Sequence, residues 1–573
     1  MRVRGSELVV RALLDEGVEK TFGIPGTHNI ELYDAIERAP GLEAVLVTSE
    51  VAAAFMADGY ARTSGRPGVL NLVPGAGVTH AMSGIAEAWM DNVPMVVLAC
   101  GIRNDTGAAY QLHAIDQLEI LRPVTKAVFR ATHADEIYPM VRRAFAAARS
   151  GCPGPAAVEI AANLMMLTQD AAEPTWDGPP EAPPQPAPAL LDEAVKRLRG
   201  ARAPAIYAGA GASGASDLLV ELAERLGAPV TTTISGKGVF PERHPLWLWN
   251  GFGRMAPEFV QRVMEGCDCL LAVGCRFSEV ATGSYGLETP ESLIHVDADP
   301  EVFNRNLPAA VAIAGDARIV LSAVLERVDV RRPRGELEAT IARGHAEVQA
   351  AWRRTSSKDR VTPWRLFAAL QQHARPDAVY ATDSGNGTFL AMEHLRLEAP
   401  GRFIGPVDFS CMGYATPGAI GAAFACPGRD VVALAGDGAL LMTGLELLTA
   451  ATYGAAPVVI VLRDGKLGQI AQFQKLPLNR ETCSVLPDYD CEALANTVGS
   501  RYYRVVADHE LDGVMEAAFE SARNRVPAVV EVAVDYSRKT YFTKGVVMTN
   551  FWRLPWGDRV RMLGRALGRR VVG

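Results

Sequence analysis

Short apolar runs alternate with helix-spaced stretches along most of this chain, and few folds tolerate that pattern. Between residues 1 and 170 the segments EAVLVT, GVLNLV, PMVVLAC and PAAVEI read as strands with helical patterns between them. Strands that are apolar throughout are buried on both faces, so the alternation predicts a parallel sheet flanked by helices. Residues 190–332 repeat it with APAIYAG, PVTTT, CLLAVG and SLIHVDA, and residues 361–537 with AVYATD, DVVALAG, PVVIVLRD and AVVEVAV. Residues 171–189, which contain EPTWDGPPEAPPQPAPA, can pack neither as a helix nor as an inner strand and read as a stiff linker. The expected fold class is α/β, with three doubly wound parallel-sheet domains at 1–170, 190–332 and 361–537, followed by a basic tail at 538–573; 573 residues are too many for one core. The first and third blocks are alike in size and pattern, with no residue-level repeat.

The balance of 57 Lys and Arg against 65 Asp and Glu, a net charge of −8, argues against nucleic acid as a partner. The nine cysteines are odd in number and scattered, and GCDCLLAVGC reads as a buried strand rather than a metal knuckle. Reduced thiols of a cytoplasmic protein are the simplest reading. No run approaches the roughly 18–20 apolar residues that span a bilayer, and MRVRGSELVVRALLDEGV, charged through its apolar part, reads as an amphipathic helix rather than a signal peptide.

ALAGDGALLM, at 433–442, sets Asp437 between two glycines at the end of an apolar run. DVVALAGDG reads as a strand entering a glycine turn, TGLELLTAATY as a helix and PVVIVLRDGKLG as the next strand. Asp437 and Asp464 therefore fall at the carboxyl ends of two parallel strands, the edge where phosphate ligands bind in open α/β sheets. Glycines there let backbone N–H groups approach an anion. Two carboxylates beside an anion require a cation between them, and Mg²⁺ takes one or two carboxylates together with phosphate oxygens and water. The alternative is a turn aspartate that only caps the next helix.

The segment resembles the metal–diphosphate signature of thiamine-diphosphate enzymes, in which GDG precedes an Asn or Asp that ends a strand; here 25 residues separate Gly438 from Asp464. The resemblance implies that the side chains of Asp437 and Asp464 and the main-chain oxygen of Lys466 hold Mg²⁺, with Gly436, Gly438, Ala439 and Leu467 beside the thiamine diphosphate. It implies that Gly385, Asn386 and Gly387 of TDSGNGT contact the diphosphate. In DFSCMGYATPGAIGAAFA it implies that Met412 wedges the cofactor into a V shape and that the Ser410 carbonyl accepts from its 4′-amino group. LVTSEVAAAFMADGYARTSGRPGV is similar to the segment carrying the family's glutamate, at Glu50. The resemblance implies that this carboxylate bonds the aminopyrimidine N1′ and stabilises the imine that removes the thiazolium C2 proton. Glu50 and the metal carboxylates lie in different domains, so the resemblance also implies a homodimer or homotetramer with each site built between two chains. It covers roughly 1–537 and is nearest the acetolactate synthases, with GCRFSEVATG and LIHVDADPEVFNRN in support. The implied activity is the making or breaking of carbon–carbon bonds in a small 2-oxo acid or acyl substrate.

Several positions depart from that neighbourhood. FGIPGTHNIELY puts His28 on a loop where acetolactate synthases usually carry small residues, which is more like benzaldehyde lyase and the 2-hydroxyacyl-CoA lyases. AYQLHAIDQLEILRPVTK resembles the segment that brings a glutamine to the site, with Gln111 the candidate and His113 its rival. Ala161-Ala162 stand where biosynthetic enzymes have Pro-Lys, and Phe473 replaces a tryptophan. Lyase chemistry, 2-oxo acid decarboxylation and flavin-linked pyruvate oxidation therefore stay open. YAGAGASG holds a GxGxxG at Gly209, Gly211 and Gly214, but the next strand, PVTTT, lacks the acid an NAD site needs. FAD, ADP or nothing remain as occupants of the central domain. From 553 on the tail has six arginines and one aspartate, with Val560, Leu563, Leu567 and Val571 at helical spacing. It reads as a weak membrane contact, or as a helix docked on the enzyme's own surface or lying over the site as a lid.

Overall fold

A computed structural model describes residues 1–176, 178 and 185–572, without the side chains of 476, 477 and 565–572. Most of the expected linker's centre, and the side chains of Leu567 and Val571, therefore lie outside the described residues. The chain opens with strand β1 (Arg2–Arg4), whose partner is antiparallel β8 (Thr168–Asp170). Between them runs the first large sheet: β2 (Lys20–Gly23), β3 (Glu43–Leu46), β4 (Gly68–Leu72), β5 (Met95–Gly101), β6 (Ala127–Ala131) and β7 (Pro155–Ala161), in the order β3-β2-β4-β5-β7-β6.

The second sheet is β9 (Pro204–Ala208), β10 (Val230–Thr232), β11 (Trp247–Asn250), β12 (Cys269–Val273), β13 (Leu293–Asp297) and β14 (Val311–Ala314), ordered β11-β10-β9-β12-β13-β14. The third is β15 (Val379–Thr382), β16 (Phe403–Ile404), β17 (Val431–Gly436), β18 (Val458–Arg463), β19 (Arg501–Val505) and β20 (Ala528–Ala533), ordered β16-β15-β17-β18-β20-β19. Every pairing within the three is parallel, and helices supply the crossovers such pairing demands. The first and third sheets share one connectivity, while the second has the strand order of dinucleotide-binding folds. Shared connectivity without shared residues is why no repeat shows in the sequence.

Strands such as Met95–Gly101 and Cys269–Val273 are buried along their whole length because helices cover both faces. One buried cluster runs from the second sheet into the third domain, and another from the first sheet into the third. The second of these turns on two helices, Glu50–Ser64 and Ala415–Ala425, packed backbone to backbone. A Cβ on Gly59 would lie 2.1 Å from the Gly418 carbonyl oxygen, and one on Gly421 would lie 2.0 Å from that of Met56. No larger residue fits at either place.

Polar contacts fix the same junction. Arg62, at the far end of its helix, bonds Asp58 at 2.6 Å and Asp91 at 2.9 Å, and the Tyr414 hydroxyl donates to Asp58. Asp91 accepts from the backbone of Val407 and Asp408, each at 3.1 Å, and Glu87 from that of Cys411 at 3.0 Å. The loop that carries Ser410 and Met412 is therefore tied to the first domain.

Candidate active site

Asp437 follows directly on β17 and is almost wholly buried. One of its oxygens accepts from the Gly438 N–H at 2.9 Å, and the other from those of Gly465 at 2.7 Å and Asp464 at 3.3 Å. Asp464 sits one residue past β18 and accepts from the Lys466 N–H at 3.2 Å. Burial raises the Asp437 carboxyl above its usual range; burial and then the Asp437 charge push Asp464 up to about 6. Two carboxylates with raised pKa values thus lie at the ends of adjacent strands, an arrangement that a divalent cation relieves.

They open on a cavity of about 100 Å³ whose lining includes Gly436, Gly438, Ala439, Lys466 and Leu467 from that edge, Gly385, Asn386 and Gly387 from the turn after β15, and Met412. The backbone explains the glycines. Gly385 has φ +147 and Gly465 φ +67, conformations that side chains disfavour, and nothing lies within 4 Å of a Cβ on Gly436 or Gly465. A Cβ on Gly438 would project to 2.9 Å from Leu467 and 3.6 Å from Met412. Bare N–H groups, open space and paired carboxylates suit a magnesium-bound diphosphate.

Sequence reasoning passed over Asp383, although it lies in TDSGNGT. It is buried, its carboxyl is pushed up to about 6 by that burial, and it accepts from the N–H groups of Gly413 at 2.9 Å and Ala415 at 2.8 Å. It therefore clamps the Met412 loop from below. An aspartate directly after an apolar strand was the available signal. Ser410, at φ +64, has its hydroxyl 2.8 Å from that of Ser384 and lines a larger cavity adjoining the first.

Glu50 begins the helix Glu50–Ser64, its carboxylate 3.0 Å from His80 Nδ1. The strand end before it is held by Glu446, which accepts from the Thr48 N–H at 3.1 Å. Neither His80 nor Glu446 carried a sequence signal: the first meets Glu50 from the next helix of the same domain, and the second reaches Thr48 from the third domain. Among the described residues of one chain, Glu50 does not join the cavity around Asp437, whose lining runs from Asp383 to Tyr536.

His28 and His113 come together, ring centroids 5.3 Å apart. Burial, then the neighbouring His113, lowers the His28 pKa. Its loop is pinned by Asn29, which accepts from the Gly26 N–H at 2.7 Å and donates to Asn71 at 3.2 Å. His113 has φ +67 and a buried Nδ1 without a partner among the described residues. Gln111 is instead spent within its own loop, donating to the carbonyls of Arg103 at 3.0 Å and Ala108 at 3.3 Å. In the second sheet, Gly209 and Gly211 serve close packing: Cβ atoms there would lie 2.0 Å from the Gly274 carbonyl oxygen and 2.8 Å from Gly274 Cα.

Comparison with known proteins agrees domain by domain. Residues 3–120 match the thiamine pyrophosphate enzyme N-terminal TPP binding domain, 191–324 the central domain and 383–532 the C-terminal TPP binding domain. The chain is 31% identical to the acetolactate synthase large subunit of Haemophilus influenzae over 94% of its own length and 96% of the relative's. It is 30% identical to the acetolactate synthase isozyme 3 large subunit of Escherichia coli over the same shares. It is 34% identical to the probable 2-ketoarginine decarboxylase AruI of Pseudomonas aeruginosa, over 84% of this chain and 85% of that one. With all three domains matched in order and near full-length similarity, the chain belongs to the thiamine pyrophosphate-dependent enzymes, in their acetolactate synthase-like group.

Proposed function

We propose that this enzyme holds thiamine diphosphate through Mg²⁺ at Asp437, Asp464 and the Lys466 carbonyl, and uses it to make or break the bond between the carboxylate and carbonyl carbons, or the carbonyl and acceptor carbons, of 2-oxo acid substrates. The observation that carries the reading is the carboxylate pair of buried Asp437 and half-buried Asp464 on a cavity ringed by glycines. Two carboxylates and one carbonyl leave room in an octahedral shell for diphosphate oxygens and water. Once bound, thiamine diphosphate supplies the nucleophilic carbon and the electron sink. The chain's own groups position and move protons: Met412 and the Ser410 carbonyl shape the cofactor's seat, Glu50 exchanges a proton at the aminopyrimidine, and His28 with His113 serves the substrate oxygen. Because Glu50 and Asp437 do not share a cavity within one chain, the reading calls for a homodimer or homotetramer in which Glu50 of one protomer reaches the metal site of its partner.

Holoenzyme given pyruvate, Mg²⁺ and thiamine diphosphate is expected to release CO₂ and form acetolactate; chelation or Asp437→Ala abolishes both. CO₂ release that survives complete removal of the cofactor would overturn the reading. The imidazole pair at 5.3 Å favours a second reading, lyase or simple decarboxylase chemistry, since a titratable pair suits protonating an intermediate or releasing an aldehyde. A relative named as a 2-ketoarginine decarboxylase points the same way. CO₂ and aldehyde without acetolactate would select it.

A cavity of about 400 Å³ at the carboxyl ends of the second sheet, lined by Gly211, Arg276 and Asp297 among others, is the place this reading gives to FAD or ADP; the visible absorption spectrum of the purified protein decides for or against flavin. The cytoplasm is the compartment we infer. Trp552, Trp556, Val560 and Leu563 are exposed on the tail and would make a weak contact with a membrane surface, which vesicle flotation tests.

A further inference from the structure

The tail beyond the matched domains forms two helices, Tyr541–Arg553 and Trp556–Val572. They wall a cavity of about 1,090 Å³ that opens on Ser384, Gly385 and Ser410, next to the diphosphate cradle. One side of this chamber is the helix Gly468–Leu478, which follows the metal loop and contributes Ile470 and Phe473. The tail supplies further wall: Phe542, Val546, Val547 and Phe551, with Leu554 and Met562 after them in sequence. The Asp558–Arg561 ion pair, at 2.5 Å, lies at the same end as Met562 in sequence and also borders the chamber.

This wall is fastened rather than draped. Phe542 stacks on Phe389 with ring centroids 4.4 Å apart, and the Tyr541 N–H donates to Glu393. Gly545 lies so close to the central domain that a Cβ there would be 2.4 Å from the Arg254 carbonyl oxygen. Arg553 donates to the carbonyls of Ser284 and Tyr285, the latter at 2.6 Å. A wall tied to both neighbouring domains is pre-organised, so its shape selects among ligands instead of adapting to each.

We infer that the tail helices are the specificity wall of the substrate site, and that the preferred 2-oxo acid carries a bulky, mainly apolar side chain, a medium-length alkyl or an aryl group. This rests on the 2-oxo acid reading above. A reacting carbonyl beside the cofactor seat leaves the substrate's side chain to run into the chamber. The volume lies just above the range of roughly 300–1,000 Å³ for sites that enclose drug-sized ligands, and a methyl group leaves it almost unfilled. Each methylene buried against Phe473, Val547 and Phe551 is worth roughly fourfold in binding.

The test is the ratio of kcat/KM for 2-oxooctanoate to that for pyruvate, read as thiamine-diphosphate-dependent CO₂ release by the full-length holoenzyme. The expected ratio is well above one. Val547→Trp, which narrows the chamber, lowers it about tenfold, whereas Phe551→Ala, which widens it, extends turnover to 2-oxo acids with larger aryl groups. The opposed directions separate a shape effect from general damage to the fold. A ratio below one that neither variant moves would overturn the inference while leaving the parent reading intact. Cofactor-dependent CO₂ release from none of these acids would remove both.

Discussion

At Asp464, where the resembling signature carries Asn or Asp, the chain places a second carboxylate beside Asp437, and the consequence is electrostatic. Because burial and the Asp437 charge hold its pKa near about 6, the folded, metal-free protein keeps a proton there that the unfolded chain gives up near pH 4. Stability of the metal-free protein therefore falls as pH rises through that window, the sign for a carboxyl whose folded pKa is raised. Asp464→Asn is expected to remove the Asp464 share of that fall, leaving the part due to other raised carboxyls such as Asp437 and Asp383, and to stabilise the metal-free protein at neutral pH by about 1 kcal/mol once solvent screening is allowed for. The same change weakens Mg²⁺ by about tenfold, equivalent to about 1.4 kcal/mol. Thermal melts across pH 4–8, with and without Mg²⁺, check both. Asp437 and Asp464 were legible because a strand, a glycine turn and an aspartate are local signals. Asp383 was harder to see because its partners, Gly413 and Ala415, lie some thirty residues away in sequence. The contest between Gln111 and His113 had no local signal at all; a left-handed backbone at His113 and the internal bonding of the Gln111 amide separate their surroundings.

Among the elements, the helices Glu50–Ser64 and Ala415–Ala425 do most to join the first domain to the third. Their small-residue faces were visible in AAAFMADGYA and ATPGAIGAAFA, but nothing in either stretch says that the two face each other. The reason is geometric: glycines at 59, 418 and 421 matter only once the backbones are in contact. Gly59→Val drives a side chain into the Gly418 carbonyl and is expected to cost at least about 3 kcal/mol, as overpacking of a rigid contact does. Urea unfolding checks the magnitude. Four strands of each large sheet were legible, since uninterrupted apolar runs are what burial on both sheet faces requires, whereas β2, β6, β11, β14, β16 and β19, all but the first at sheet edges, were not. The tail's division into two helices turns on Leu554 and Pro555, and proline is tolerated at a helix start but not in its middle.

The whole molecule is held by a few buried polar contacts as well as by its cores. Lys237 and Glu242, from the central domain, are an ion pair with both side chains fully buried. Lys237 also donates to the carbonyls of Met392 at 3.1 Å and Leu395 at 3.0 Å, and Glu242 accepts from the Leu397 N–H at 3.0 Å. The pair thus stitches the second domain to the third. Lys237→Met strands a buried carboxylate and two carbonyls and is expected to destabilise by about 3–5 kcal/mol, seen in calorimetry as a separate, earlier transition for the central domain. Domain order was legible from the strand pattern. The matching connectivity of the first and third sheets was not, because it is a property of chain tracing rather than of residues. That pairing of like domains also bears on assembly, since it presents Glu50 on one and the proposed metal carboxylates on the other.

Mixing two inactive variants, Glu50→Ala and Asp437→Ala, after mild dissociation and reassociation tests this arrangement most simply. If each site takes Glu50 from one protomer and Asp437 from its partner, half the dimers are hybrids and each hybrid keeps one intact site, so activity should return to about a quarter of wild type. Activity that stays at the level of the separate variants, with hybrids shown to form, would contradict a site shared between two chains.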